Sequence, residues 1–281
     1  MRMALPPDFD VKDFVARTLA EDLGDGGDVT SNATIPAGAR FKAAMNCRQR
    51  IVLAGIEIAA AFFRALDPKV EIELVESDGD QLVHGTTLMR LSGNARAILG
   101  AERSALNTLQ HLSGVATLTR RYVDATEGTG TILLDTRKTV PGLRVLEKYA
   151  TRMGGAQNHR MRLDDGVLIK DNHVAAAGGV AEAVRAAKSA NTGLQVQVEV
   201  DRIDQIEPAL DAGADRLLLD NMDPAELRAA VATVAGRVPL EASGGVTLET
   251  IRFLAETGVD YISVGRITQS APAVDIGLDF S

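Results

Sequence analysis

The feature that most constrains the fold is a pattern that recurs six times between Ile132 and Gly265, in which a short apolar run ends in a polar residue or a glycine. Helical stretches separate several of these runs, and this alternation is typical of βα units that close into a barrel. The chemistry of such barrels lies at the C-terminal ends of the strands. The pattern therefore predicts an α/β-barrel enzyme with strands near 132–134, 167–169, 196–198, 217–219, 239–242 and 261–264.

The residues that follow these runs form an ordered chemical set. Basic side chains follow the first two runs, carboxylates follow the next two, and glycine turns follow the last two; the charged members are Arg137, Lys138, Lys170, Glu199 and Asp220. Arginine suits bidentate contacts with carboxylate or phosphate, while lysine offers a mobile point charge. Any one of these residues taken alone is equally consistent with a strand end that meets solvent. Together they favour a ligand that is polyanionic, phosphorylated and metal-bearing.

Two carboxylates and two glycine turns suggest how that ligand is held. Glu199 and Asp220 end consecutive predicted strands, so we expect their side chains to lie close together and to bind Mg²⁺ jointly with substrate phosphates. Turns after the last two barrel strands commonly bind phosphate through main-chain N–H groups. These turns contain Ser243, Gly244 and Gly245, and Val264, Gly265 and Arg266. No second histidine lies at metal-ligand spacing from His159, so zinc is not expected.

Composition restricts the class of protein. The chain has 281 residues and is 46% hydrophobic, which is enough for a barrel plus a smaller domain. Its net charge of -8 argues against nucleic acid or an anionic membrane as the main partner. The single cysteine, Cys47, fits a reducing compartment, and Met1–Pro7 lacks the apolar core of a signal peptide. We therefore expect a cytoplasmic protein that binds neither nucleic acid nor membranes.

The first part of the chain has a different organisation. Helical spacing is evident at 11–23 and 56–66, but the strand-like runs between 41 and 91 are crowded together without βα alternation. A long helix then begins near Asn94 or Ala95. These patterns predict an N-terminal α/β sandwich domain at 1–112 and a catalytic α/β-barrel domain at 113–270. The tail at 271–281 lies beyond the last barrel strand and is expected to pack back on the first domain.

Long segments of the chain resemble the quinolinate phosphoribosyltransferase family, the carboxylating nicotinate-nucleotide pyrophosphorylases. In the barrel they are LLDTRKTVPGLR (133–144), GGAQNHRMRLDDGVLIKDNH (154–173), LLLDNM (217–222), LEASGG (240–245) and DYISVG (260–265). In the first domain they are LAEDLGDGGDVTS (19–31) and AERSALNTLQHLSGVAT (101–117). The resemblance covers nearly the whole chain, and its motifs are long and specific.

The resemblance implies a fold, an assembly and a reaction. The fold is an α/β sandwich joined to an incomplete α/β barrel, in a homodimer whose active sites each receive an arginine from the partner, here Arg103. The reaction converts quinolinate and phosphoribosyl pyrophosphate into nicotinate mononucleotide, pyrophosphate and CO₂ for NAD biosynthesis. The resemblance implies that the pyridinium nitrogen stabilises the carbanion left by loss of CO₂, so no organic cofactor is expected. Mg²⁺ is expected as the partner of phosphoribosyl pyrophosphate.

The resemblance also implies roles for individual residues. The quinolinate-binding cations are Arg137, His159, Arg160 and Lys170. Lys138 is shared with the phosphoribosyl donor and is catalytic together with Glu199 and Asp220, and Thr136 belongs to the same substrate-binding segment. The 5′-phosphate is expected at 243–245 and 264–266. The chain departs from the family at Gly245, where the family often has Asn, and at Arg266, where it often has Ala.

Two alternatives differ in class. A phosphoribosyltransferase-like protein associated with molybdenum uptake shares the fold and the DTRKT segment, but the intact segments 158–160 and 170–173 favour the quinolinate enzyme. A non-catalytic anion-binding barrel is the second alternative. The presence of both Glu199 and Asp220 argues against it.

Overall fold

The computed structural model describes residues 9–280, which form two compact units interleaved along the chain. Within that range, unit 1 comprises residues up to Arg120, Val145–Gly155 and residues from Ser270, and unit 2 comprises Arg121–Arg144 and Ala156–Gln269. The sequence analysis assigned 113–120 and 145–155 to the barrel domain, whereas these residues fall in unit 1. Residues 1–8 and 281 of the predicted ranges, including the Met1–Pro7 segment, lie outside the described residues.

Helices and strands follow one another along the chain in a regular order. They are α1 Val11–Leu23, α2 Val29–Thr34, β1 Arg40–Cys47, β2 Ile51–Val52, α3 Ile56–Leu66, β3 Glu71–Leu74, β4 Gln81–Leu82, β5 Thr87–Asn94, α4 Ala95–Ala125, β6 Ile132–Leu134, α5 Arg144–Met153, β7 Val167–Ile169, α6 Asp171–Ala177, α7 Val180–Ser189, β8 Val196–Val200, a 3₁₀ turn Ile203–Gln205, α8 Ile206–Asp211, β9 Arg216–Asp220, α9 Pro224–Val234, β10 Leu240–Ser243, α10 Ile251–Ala255, β11 Tyr261–Ser263, α11 Arg266–Gln269 and β12 Ile276–Phe280.

Unit 1 contains an antiparallel sheet with strand order β12-β1-β5-β3 and a short β2-β4 pair. Its core includes the fully buried Phe62 and Phe63 of α3. The last strand pairs with the first, so that Met45 lies opposite Leu278. The segment that the sequence predicted to pack against the first domain therefore completes the sheet of unit 1.

Buried polar contacts explain why α5 belongs to unit 1 although barrel strands precede and follow it. Glu147 is fully buried, and its Oε1 lies 2.8 Å from Nε2 of His111. The hydroxyl of Tyr149 donates a hydrogen bond of 2.6 Å to Asp78, and burial is the main cause of a raised pKa of that hydroxyl. A buried polar group needs such partners. His111 and Asp78 both lie in unit 1.

Unit 2 is built on six parallel strands in the order β6-β11-β10-β9-β8-β7. The end strands β6 and β7 are not hydrogen-bonded to each other, so the barrel is incomplete. The predicted fold class, an incomplete α/β barrel preceded by a smaller α/β sandwich, is confirmed. Because the strands are parallel, their C-terminal ends lie on one side of the sheet.

Local capping determines where the helices of unit 2 begin. Asp223 caps α9 by accepting hydrogen bonds from the main-chain N–H groups of Ala225 and Glu226, and Pro224 occupies the first turn. Residues 247–250 form a turn, closed by a hydrogen bond of 3.2 Å from the main-chain N–H of Thr250 to the carbonyl oxygen of Thr247, and α10 begins directly after it. Among residues 9–280, no helix is both long enough and apolar enough to cross a bilayer. The cytoplasmic location stays a prediction.

Candidate active site

Unit 2 contains a cavity of about 830 Å³ at the C-terminal ends of its strands. Its lining includes every predicted site residue of this unit: Thr136, Arg137, Lys138, His159, Arg160, Lys170, Glu199, Asp220, Ser243, Gly244, Gly245, Val264, Gly265 and Arg266. The remaining predicted residue, Arg103, is not among the lining residues. It lies exposed on α4 in unit 1 and forms neither a hydrogen bond nor an ion pair with the other described residues.

The alternation of side chains along a strand explains how the barrel supplies this lining. Four of the predicted rim residues have a second cavity residue two positions before them, and the pairs are Leu168 and Lys170, Leu218 and Asp220, Glu241 and Ser243, and Ser263 and Gly265. Sequence reasoning selected only the later member of each pair. The earlier members had a detectable signal, because residues two apart on a strand share a face.

Two arginines concentrate positive charge on one side of the cavity. Arg160 donates a hydrogen bond of 2.9 Å from its guanidinium to the carbonyl oxygen of Gly166. Burial, together with the charge of Arg137, lowers the pKa of Arg160 below its ordinary value. The two guanidinium groups therefore repel each other, and an anion bound between them would relieve that repulsion.

A clamp holds the loops that carry these arginines. Arg144 donates from Nε to the hydroxyl of Thr139 at 3.1 Å, and its terminal nitrogens reach the carbonyl oxygens of Met161 at 3.2 Å and Arg137 at 3.4 Å. One side chain thus connects the loop after β6 with the loop before β7. Arg144 was not among the predicted site residues, although it ends the LLDTRKTVPGLR segment.

Opposite charges meet at the ends of β7, β8 and β9. Nζ of Lys170 lies 2.5 Å from Oε2 of Glu199, whose side chain is only 10% exposed. Burial raises the pKa of Asp220, and the neighbouring charge of Glu199 raises it further. Asn221 donates a hydrogen bond of 2.7 Å to Asp220. The predicted proximity of the two carboxylates is therefore present, and one of them already has a cationic partner.

These two carboxylates define what the site could do with a metal ion. Within residues 9–280, no group of three or more His, Cys, Asp or Glu side chains is arranged to hold a metal. Glu199 and Asp220 could therefore supply only part of a coordination shell. This donor set fits Mg²⁺, which binds one or two carboxylates and takes its other oxygens from water and phosphates.

The Lys138 loop is held by two hydroxyl groups. The main-chain N–H of Lys138 donates to the hydroxyl of Thr136 at 3.0 Å, and the buried hydroxyl of Thr268 donates to the carbonyl oxygen of Lys138 at 2.6 Å. Gly265 permits this close packing, because a Cβ atom there would lie 2.7 Å from Cδ of Lys138. Sequence reasoning missed Thr268, whose partner is far away in the chain.

The two glycines after β10 have different structural requirements. Gly244 has a φ of +97°, and a Cβ atom there would lie 2.1 Å from Oδ1 of Asn221. Gly245 has a φ of +59°, and a Cβ atom there would meet nothing within 4 Å. Glycine and asparagine are the residues that adopt positive φ most readily. Glycine at position 245, where the family often has Asn, is therefore compatible with the same positive-φ backbone conformation.

A buried polar cluster lies beside the cavity and includes a glutamate that sequence reasoning did not select. The carboxylate of Asp135 accepts hydrogen bonds from the main-chain N–H of His159 at 2.9 Å and from the amide of Asn158 at 2.5 Å. Nε2 of His159 lies 3.5 Å from Oε2 of Glu241, whose side chain is fully buried. The position of Glu241 between Leu240 and Ala242 in an apolar run was the available signal.

Known proteins resemble this chain in sequence and structure. Two family models match it: quinolinate phosphoribosyl transferase, N-terminal domain, at residues 28–113, and the C-terminal domain at residues 115–279. The chain is 44% identical over 274 residues to a Mycobacterium leprae protein named nicotinate-nucleotide pyrophosphorylase (carboxylating), covering 95% of this chain and 96% of the relative. Its identity to the chloroplastic protein of that name from Arabidopsis thaliana is 40%, with coverages of 97% and 83%. A nicotinate-nucleotide pyrophosphorylase structure from Ehrlichia chaffeensis superimposes with a TM-score of 0.94 at 40% identity, covering 98% and 100% of the two chains.

Proposed function

The chain belongs to the quinolinate phosphoribosyltransferase family, and we propose that it transfers the phosphoribosyl group of phosphoribosyl pyrophosphate to quinolinate with loss of CO₂. The products are nicotinate mononucleotide, pyrophosphate and CO₂, in a step of NAD biosynthesis. One observation carries this proposal: a single cavity contains clustered cations, two carboxylates and two glycine turns. Each group has a counterpart in the chemistry of the two substrates.

Quinolinate is a planar dicarboxylate, and the basic side of the cavity suits it. Arg137 and Arg160 can each form paired hydrogen bonds with a carboxylate, and Lys170 adds a mobile point charge. Fixing both carboxylates also orients the ring nitrogen toward the ribose. Such positioning replaces a bimolecular encounter and is a large source of rate acceleration.

Lys138 and the glycine turns suit the phosphoribosyl donor. Lys138 would neutralise charge on the departing pyrophosphate, while the main chain at 243–245 and 264–266 would bind the 5′-phosphate, with Arg266 as an additional cation. As the bond to pyrophosphate lengthens, positive charge develops on the ribose. Glu199 and Asp220 would stabilise this charge because they are held in place before the reaction.

Mg²⁺ fits this site as a partner of the donor. Glu199 and Asp220 are the residues that would hold it, together with substrate oxygens. When bound, the ion neutralises phosphate charge. The raised pKa of Asp220, caused by burial and by Glu199, supports this proposal, because a nearby cation offsets both effects.

Decarboxylation needs no organic cofactor in this scheme. Once the ring nitrogen is bonded to the ribose it carries a formal positive charge. The carboxylate beside it leaves as CO₂, the bonding electron pair stays on the ring carbon, and a proton from solvent replaces the carboxylate. The adjacent pyridinium nitrogen stabilises the carbanion between these two steps.

We further propose that the protein is a homodimer with shared active sites, in which Arg103 of each subunit enters the site of the other. The exposed position of Arg103 on α4, without an ion-pair partner within residues 9–280, leaves it available for this role. Two-fold symmetry would make the exchange reciprocal and add one cation to each quinolinate pocket.

The reaction is tested directly with purified protein, quinolinate, phosphoribosyl pyrophosphate and Mg²⁺. Nicotinate mononucleotide, pyrophosphate and CO₂ should form in equal amounts. Omitting quinolinate, or replacing it with nicotinate, should abolish product. Binding of quinolinate without any product under these conditions would instead support the anion-binding barrel.

A further inference from the structure

Arg144 is a cation beside the cavity for which the proposed reaction has no role. It is the first residue of α5, is half-buried and is not among the cavity-lining residues. Its guanidinium donates to the hydroxyl of Thr139 at 3.1 Å and to the carbonyl oxygens of Met161 at 3.2 Å and Arg137 at 3.4 Å. All three acceptors are uncharged, so these contacts, called here the Arg144 clamp, fix geometry rather than neutralise charge.

The first segment held by the Arg144 clamp is the turn after β6, which carries Arg137. The main-chain N–H of Thr139 closes this turn by donating to the carbonyl oxygen of Arg137 at 3.0 Å, and Arg144 contacts both residues. Among residues 9–280, the side chain of Arg137 has no hydrogen-bond partner, although its Nε atom is buried. The place of that guanidinium therefore depends on the main chain that the clamp holds.

The second segment is the loop before β7, which carries Arg160. Met161 follows Arg160 directly, and its main-chain N–H donates to the carboxylate of Asp165 at 2.7 Å while its carbonyl oxygen accepts from Arg144. The guanidinium of Arg160 is itself anchored by a hydrogen bond of 2.9 Å to the carbonyl oxygen of Gly166. Arg160 is thus held at its side chain and at the next residue of its main chain.

The two segments need a connection because they carry like charges. Arg137 and Arg160 line one cavity, and burial together with the charge of Arg137 lowers the pKa of Arg160. Their repulsion favours separation of the two segments. A guanidinium opposes this separation well, because it is planar and directs its donors in a rigid fork, whereas the ammonium of lysine is a point charge on a flexible stem.

We infer that Arg144 is a positioning residue that sets the spacing of Arg137 and Arg160, and that this spacing selects a dicarboxylate with its carboxylates on adjacent ring carbons. The inference rests on the proposed function, in which each of these arginines binds one carboxylate of quinolinate. Cations held in place before binding avoid the cost of ordering them around the ligand. An isomer with more widely separated carboxylates engages one arginine well and the other poorly.

Arg144→Lys tests the geometry of the clamp, because it keeps the positive charge and removes the planar fork. The Kd of quinolinate, measured by calorimetry on the full-length protein, should rise about tenfold, the equivalent of one lost hydrogen bond to a charged group. The comparison ligand is lutidinate, the pyridine dicarboxylate of equal charge whose carboxylates are not on adjacent carbons. Its Kd should change much less, so the preference for quinolinate should fall. The KM for phosphoribosyl pyrophosphate should also change little.

Two further variants are compared with Arg144→Lys. Arg237→Lys makes the same change at an arginine that also donates to main-chain carbonyl oxygens, those of Val234 at 3.0 Å and Thr233 at 2.7 Å, but lies outside the cavity lining. It should affect the Kd of neither ligand. Thr139→Val removes one acceptor of the Arg144 clamp without a change in charge. It should reduce the preference for quinolinate in the same direction and by less.

The outcomes separate this inference from the proposed function. Unchanged quinolinate affinity in folded Arg144→Lys would overturn the inference. An equal loss of affinity for both ligands would do the same, because it would indicate a general disturbance of the cavity. If Arg144→Lys does not fold, Thr139→Val decides between the same outcomes. A wild-type protein that forms no nicotinate mononucleotide and does not prefer quinolinate would refute the proposed function and this inference with it, whereas normal wild-type turnover with an unaffected Arg144→Lys would refute the inference alone.

Discussion

Substitution of Gly244 by alanine should damage the site far more than the same substitution at Gly245. Both glycines lie in one turn at positive φ, so each alanine should cost about 1 to 2 kcal/mol for the left-handed backbone. Only at position 244 would the new Cβ also overlap a neighbour, at 2.1 Å from Oδ1 and 2.9 Å from the main-chain nitrogen of Asn221. The main-chain nitrogen cannot yield by a rotamer change.

The additional cost follows from that overlap. Overpacking typically costs about 1 to 3 kcal/mol, so Gly244→Ala should lose about 2 to 5 kcal/mol in total and Gly245→Ala about 1 to 2 kcal/mol. Displacing Asn221 would also break its hydrogen bond to Asp220. A hydrogen bond to a charged group contributes about 1.5 to 3 kcal/mol, which corresponds to a loss of at least about tenfold in kcat/KM.

Urea denaturation and steady-state kinetics test this comparison. The free energy of unfolding and kcat/KM for phosphoribosyl pyrophosphate should both fall in the order wild type, Gly245→Ala, Gly244→Ala. Equal losses in the two variants would refute the argument, because backbone strain alone would then account for both. A partial recovery of the free energy of unfolding in Gly244→Ala with Asn221→Gly, without recovery of activity, would support the overlap with the Asn221 side chain as the cause of the lost stability.

Four further predictions concern charged residues. Glu199→Gln should reduce kcat strongly and leave quinolinate affinity, measured by calorimetry, much less affected; a parallel loss of both would remove Glu199 from the transition-state role. Arg160→Ala should weaken quinolinate binding about ten- to a hundredfold, since the variant loses charge-assisted hydrogen bonds to the substrate. The control Arg162→Ala should have little effect, because Arg162 is exposed and pairs with Asp164. Similar quinolinate affinities for the two variants would contradict the placement of Arg160 in the quinolinate site. The raised pKa of Asp220 means that the folded state favours the protonated acid. Asp220 should therefore make folding less favourable as pH rises from its unfolded pKa toward its higher folded pKa. Without Mg²⁺, Asp220→Asn should be more resistant to urea than wild type at pH 7, and the difference should vanish in acid. Mixing inactive Arg103→Ala with inactive Glu199→Ala under conditions of subunit exchange should restore up to one functional site in two, and confirmed heterodimers without activity would exclude the shared site.

Much of the cavity could be predicted because parallel strands have a simple geometry. Their C-terminal ends lie on one side of the sheet, so residues that follow successive apolar runs converge although they are distant in sequence. Lys170, Glu199 and Asp220 were selected in this way and line one cavity. The family resemblance added His159 and Arg160, which follow no apolar run.

The sequence by itself determined the βα rhythm, the fold class and the identity of the rim residues, because these depend on periodicity and on short motifs along the chain. Only the tertiary structure decided which inward side chains meet. Gln197, Arg216 and Glu241 belong to three strands, and Thr268 reaches Lys138 from 130 residues away. Periodicity shows which face a side chain occupies, but strand register and close packing determine which partner lies within hydrogen-bond distance.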